Sequence, residues 1–103
     1  MYSLRMIHHV VLIRLKAEVS PADTEAFMVE ASNILAPIPG VRNFKVGKGL
    51  GVKAEVSYPI ALVMEFDDDA ALEAYQVHSE HQRFVNEVVA PIQDDKQVYD
   101  YRF

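Results

Sequence analysis

The sequence predicts an α+β fold in the order β-α-β-β-α-β. Its strands form one four-stranded, mainly antiparallel sheet with the helices on one face, a ferredoxin-like arrangement. Three observations carry this expectation. Ile7–Leu15 and residues 58–66 are nearly continuous runs of β-branched and aliphatic residues, as strands are. Segments after each of them place apolar residues at helical spacing behind capping residues. A chain of 103 residues leaves room for a single domain over 1–103.

After the first strand, Ser20 is placed to cap a helix and Pro21 suits its first position. Phe27, Ala31, Ile34 and Leu35 give that helix one apolar face, and Pro37, Pro39 and Gly40 stop it. Residues 41–47 alternate weakly as a second strand. Glycines 47, 49 and 51 then punctuate a loop expected to reach Ser57. The third strand, 58–66, runs into Asp67-Asp68-Asp69, which suits the positive end of a helix. Leu72 and Tyr75 fall three apart on that helix. A break near His78 is expected to divide it from a last helix over 79–90. There Ser79 is the expected cap, Gln82 completes a capping-box spacing, and Phe84, Val85 and Val88 form the apolar face. Pro91 ends it, and residues 96–103 form the final strand.

Composition narrows the function. Half of the residues are hydrophobic and 24% are charged, which is globular rather than disordered. Lys plus Arg is 10 against 15 Asp plus Glu, a net charge of −5 with no basic run, which argues against nucleic acid as a partner. Without cysteine there are no disulfides, thiol nucleophiles, thiolate metal sites or iron–sulfur clusters. Val10-Val11-Leu12-Ile13 is too short for a signal-peptide core or a membrane span, so a soluble, cytoplasmic protein with no membrane partner is expected.

The strands say something about assembly. Successive side chains point to opposite faces of a sheet, yet Ile60-Ala61-Leu62-Val63-Met64 and Val10–Ile13 are apolar on both. Helices on one face leave the other uncovered, and a chain this short has no second layer to offer. A homodimer in which two sheets pack together resolves this, against the alternative of a monomer with a greasy exposed sheet.

The histidines are the candidates for chemistry. Alternation puts His9 with Val11, Ile13 and Leu15 on the helix side, while His8 shares the other set with Arg14. His81 shares a helical face with Phe84, Val85 and Val88, in the first turn, where the helix dipole disfavours imidazolium. A neutral imidazole beside an apolar cleft is what a general base requires, and Tyr75 can supply a phenol nearby. The alternative is a structural histidine that bonds the backbone at the helix break. His78 and His81, three apart, have the spacing of a metal pair, but no third ligand stands out, so no metal is assigned. The aspartate run lacks the glycine and terminal glutamate of a calcium loop.

His9-Val-Val-Leu-Ile-Arg-Leu-Lys16, Ile38-Pro-Gly-Val41, Glu65-Phe-Asp67, Ala71-Leu-Glu-Ala-Tyr75, His78-Ser-Glu-His81 and Asp100-Tyr101 together resemble the stress-responsive dimeric A/B barrel (Dabb) family. The likeness spans almost the whole chain; proline is usual where Ser79 stands. The resemblance implies a homodimeric α/β barrel. By likeness to a plant polyketide cyclase of the family, which closes a ring by aldol condensation without a cofactor, it implies His81 and Tyr75 as the catalytic pair. It puts His9, Ile60 and Ala31 at substrate-shaping positions, where Ile60 and Ala31 replace a histidine and a tyrosine. With Phe84, these residues would line a pocket for a small hydrophobic molecule, with no cofactor. Three readings stand: cofactor-free acid–base chemistry of the polyketide-cyclase or aldol kind; a non-catalytic stress-protective or binding dimer; and a cofactor-free monooxygenase or isomerase on the same barrel shape.

Overall fold

The computed structural model describes residues 6–51 and 58–103; the part of the expected loop over 52–57 lies outside them. Strand β1 (Ile7–Leu15) is followed by α1 (Pro21–Leu35), β2 (Arg42–Lys48), β3 (Ile60–Phe66), α2 (Asp69–Val77), α3 (Ser79–Arg83), a π-helical segment (Phe84–Val89) and β4 (Gln93–Arg102). The sheet order is β2-β3-β1-β4 and every neighbouring pair is antiparallel. This is the ferredoxin-like fold with its helices on one face. Among the described residues no helix is long and apolar enough to cross a membrane.

Alternation along the central strands sorts the two faces. Ile7, His9, Val11 and Ile13 of β1 and Ile60, Leu62, Met64 and Phe66 of β3 are buried, and the residues between them are of intermediate exposure. The buried set packs against Phe27, Ala31 and Leu35 of α1, Tyr75 of α2, and Phe84 and Val89 beyond the break. His9 is on the helix side, as the alternation required. Val10, Leu12, Ala61 and Val63 fall on the opposite face, half-buried, beside the exposed Tyr99 and Tyr101 of β4.

The caps explain where the helices begin. The Ser20 hydroxyl accepts the Asp23 N–H at 3.0 Å, with Pro21 in the first turn of α1. Asp68 accepts the Ala71 N–H at 2.9 Å, while Asp67 pairs with Arg42 at 2.8 Å and Asp69 with Arg102. The aspartate run is thus a cap and two ion pairs. Gly40, at φ +91°, turns the chain after α1 in a conformation L residues rarely adopt.

Four sequence expectations need correction beyond the break. The cap of α3 is His78, not Ser79: His78 is extended (φ −63°, ψ 138°) and its Nδ1 accepts the Glu80 N–H at 3.1 Å, so Ser79 is already helical. Gln82 is not a capping-box partner; its side-chain amide donates to the Gln76 carbonyl at 3.1 Å. The rest of the expected helix is not α-helical. The Ala90 N–H donates to the Val85 carbonyl at 3.0 Å, five residues back. An i→i+5 turn stacks residue 84 over 89, so Val89 is buried where α-helical spacing chose Val88. β4 begins at Gln93, three residues before the expected start.

Candidate functional site

The break at His78 decides the geometry of the site. Tyr75 lies near the end of one helix and His81 near the start of the next, and the extended residue between them folds the two rings together at 4.4 Å between centroids, tilted by 50°. Tyr75 is 2% exposed and packs on Phe66 at 5.0 Å and against the edge of His9 at 5.9 Å. Sheet and helices therefore bring His9, Tyr75 and His81 to one place, and a cavity of about 210 Å³ lies beside them. Its lining includes all three, with Leu62 of β3, Leu35 of α1, and Phe84 and Val89 of the π-helical segment.

Ile60 and Ala31 do not line this cavity. Both are fully buried in the core, at 1% and 0% exposure, and Ile60 lies instead beside shallower pockets near Pro59 and Thr24. The cavity is reached instead from the same faces one step on, by Leu62 two residues along β3 and by Leu35 one turn along α1.

Hydrogen bonds fix the two inward histidines. The Nδ1 of His81 lies 3.0 Å from the Gln76 carbonyl oxygen, which can only accept, so Nδ1 carries the proton and Nε2 holds the lone pair of the neutral ring. Burial pushes the His81 imidazole below its ordinary value, against the Gln76 hydrogen bond, which favours the charged form; the charges of His9 and Lys96 add to the lowering. Burial pushes the Tyr75 phenol far up, so its O–H stays a donor. His9, 4% exposed, donates from Nδ1 to Asp100 Oδ1 at 2.5 Å. Asp100 was missing from the sequence-derived site. It stands opposite His9 in the β1–β4 register, a pairing visible only once the strands are aligned. His78 is spent on its cap and does not join His81 as a ligand pair. Among the described residues no group of three or more His, Asp or Glu side chains gathers as a metal-ligand set.

A four-stranded antiparallel ferredoxin-like sheet with its helices on one face is the architecture of a known class. The Stress responsive A/B Barrel Domain (Dabb) profile matches residues 7–103. A Dabb family protein with a ferredoxin-like fold from Mesorhizobium loti is 32% identical over 94% of this chain and 95% of its own, with a TM-score of 0.85. The chain belongs to the stress-responsive A/B barrel family. It is also similar to a dimeric ferredoxin-like protein of unknown function from Thermobifida fusca, 27% identical over 100% of this chain and 95% of that one, with a TM-score of 0.82. A hydroxynitrile lyase from Passiflora edulis shares the fold at 19% identity, with 98% and 95% of the chains covered and a TM-score of 0.84. No curated protein matches the chain.

Proposed function

We propose that this protein is a homodimeric A/B barrel whose cavity carries out cofactor-free proton transfer next to a carbonyl group, of the kind that drives aldol-type cyclisation. In this reading the Nε2 of His81 takes a proton from the carbon beside the carbonyl. The Tyr75 O–H donates to the carbonyl oxygen as it becomes an enolate. In cyclisation the enolate carbon then bonds to a second carbonyl carbon of the same molecule, and the imidazolium gives its proton to the oxygen of that carbonyl; in simple exchange the proton returns to the α-carbon. The observation that carries the reading is the His81 tautomer: Nδ1–H is held by the Gln76 carbonyl, leaving a basic nitrogen on a ring that lines an apolar cavity and packs on a phenol.

The homodimer rests on the half-apolar outer sheet face and on the dimeric relative from Thermobifida fusca. The substrate is a small hydrophobic molecule with an enolisable carbonyl.

The test is deuterium exchange from D₂O into the α-carbons of a panel of small ketones and oxo acids. General-base catalysis is worth roughly 10²–10⁴-fold, so His81→Ala should lower the exchange rate by about that factor with the circular dichroism spectrum unchanged. Wild-type exchange by His81→Ala would overturn the assignment. Absence of exchange across the panel would leave the cavity to a non-catalytic binding protein.

A further inference from the structure

One wall of the cavity carries a charge that the proposed chemistry does not use. Lys96 lies on the inner face of β4, opposite Ile13 in register, and its side chain is part of the cavity lining. Most other described cations have partners: Arg14 with Asp94, Arg42 with Asp67, Lys48 with Glu25, Arg83 with Glu80, Arg102 with Asp69; Lys45 of β2 has none among the described residues, but it is exposed and does not line the cavity. Lys16 donates to the Pro91 carbonyl. Lys96 makes no ion pair or side-chain hydrogen bond among the described residues, in a chain of net charge −5 that has carboxylates to spare. Aliphatic residues share the cavity lining with it: Ile13, Leu35, Val89 and Val98.

We infer that Lys96 is the anion-recognition residue of this cavity and that its ligand is a small carboxylate with an apolar body. The inference takes the site of the proposed function as its own and adds the substrate class, an enolisable oxo acid. Its carboxylate sits on Lys96, its chain on the aliphatic wall, and its carbonyl between His81 and Tyr75. Register gives the scale: Lys96 and Asp100, opposite Ile13 and His9, are four residues apart on β4, about 13 Å at the rise of a strand. A flexible lysine reaches back part of that way, so a molecule of roughly ten non-hydrogen atoms spans the rest. The volume agrees: a cavity of about 150 Å³ holds a benzene, and this one is about 210 Å³. In the ligand-free cavity the Lys96 charge also favours the neutral form of His81.

The experiment compares 4-oxooctanoate with its neutral isostere 4-oxooctanamide by titration calorimetry on the intact protein. A charge-assisted hydrogen bond in a half-buried setting is worth roughly tenfold or more. The wild type should therefore bind the acid at least about tenfold more tightly than the amide. Lys96→Met, which keeps the apolar stem, should bring the two to parity, and Lys96→Arg should keep most of the preference. An ionic-strength series on the wild type gives a readout that needs no variant: the acid-to-amide ratio should fall as salt rises. Equal binding of acid and amide, no binding of either, a preference that survives Lys96→Met, or a ratio indifferent to salt overturns the inference. A carboxylate preference without deuterium exchange upholds Lys96 as the anion site and removes the acid–base chemistry. Exchange without a carboxylate preference does the reverse.

Discussion

His81 and His9 enter the same cavity in different electrostatic settings. His81 gives its Nδ1 proton to a neutral carbonyl, His9 to a carboxylate. A base must be neutral to act, and burial holds the His81 imidazole below its ordinary value of about 6.5. The acid limb of the exchange rate should therefore fall below pH 6.5, since the ring stays unprotonated until the pH drops to its lowered value. The same shift touches the fold. A ring whose pKa is lower in the folded state contributes stability that is full above about 6.5 and is lost as the pH falls through the folded value, because the unfolded chain binds the proton first. His81→Gln should flatten that part of a melting-temperature profile; an unchanged slope would remove His81 from it. Asp100→Asn keeps the size but removes the charge opposite His9. It should slow exchange by up to roughly tenfold if His9 orients substrate, and leave the rate alone if His9 only fills the core. His9 was legible in the sequence because β-alternation has a period of two. Asp100 belongs to the Asp100-Tyr101 pair near the chain end, but its role was invisible there because it depends on a register between strands some ninety residues apart.

The break between α2 and α3 and the π-helical segment give the cavity its shape. The sequence showed that the helix would break near His78, but not that His78 itself would cap α3. Imidazole is an uncommon cap, and Ser79 with Gln82 matched the familiar pattern. The hydrogen bond from the Glu80 N–H to His78 Nδ1 makes the prediction direct: His78→Ala should cost about 1 kcal/mol, near the usual value of a lost cap. In a domain of this size that lowers the melting temperature by about 4–8 °C, and Ser79→Ala should change it far less. The π-helical segment was illegible for a related reason. Phe84, Val85 and Val88 are a good α-helical triad, and only the Ala90-to-Val85 hydrogen bond shows that the turn is wider and that Val89 faces inward. Such a turn is held by one residue more than an α-helix needs. Deleting the exposed Asn86 should let the segment tighten into α-helix and shift the residues beyond it against the cavity. The expected result is retained helical circular dichroism with loss of 4-oxooctanoate binding; binding at wild-type strength would mean that the wide turn is incidental.

At the scale of the molecule the question is what covers the far face of the sheet. Helices cover one face, where His9, Leu62 and Met64 lie. The other carries Val10, Leu12, Ala61 and Val63 at half burial, flanked by Tyr99, Tyr101 and Phe103 at 43%, 52% and 58% exposure. That continuity of apolar and aromatic surface across β3, β1 and β4 was readable from two strands that lacked polar alternation. It is costly for an isolated chain, since exposed apolar patches of this breadth are rare on monomers. A second copy packed sheet to sheet covers it without new chemistry, and Val63 lies on a central strand, paired with Val10 in register. Val63→Asp, made together with Lys45→Met because Lys45 stands opposite Val63 in the β2–β3 register, places a carboxylate there with no cation directly opposite. An uncompensated buried charge costs about 3–5 kcal/mol, and a symmetric interface meets each substitution twice. The variant should sediment as a monomer at micromolar concentration, or fail to fold, where the wild type sediments as a dimer. Val63→Leu, which adds bulk without charge, should remain dimeric. A wild type that is monomeric at those concentrations would remove the homodimer. A Val63→Asp protein that dimerises as before would move the interface to another face.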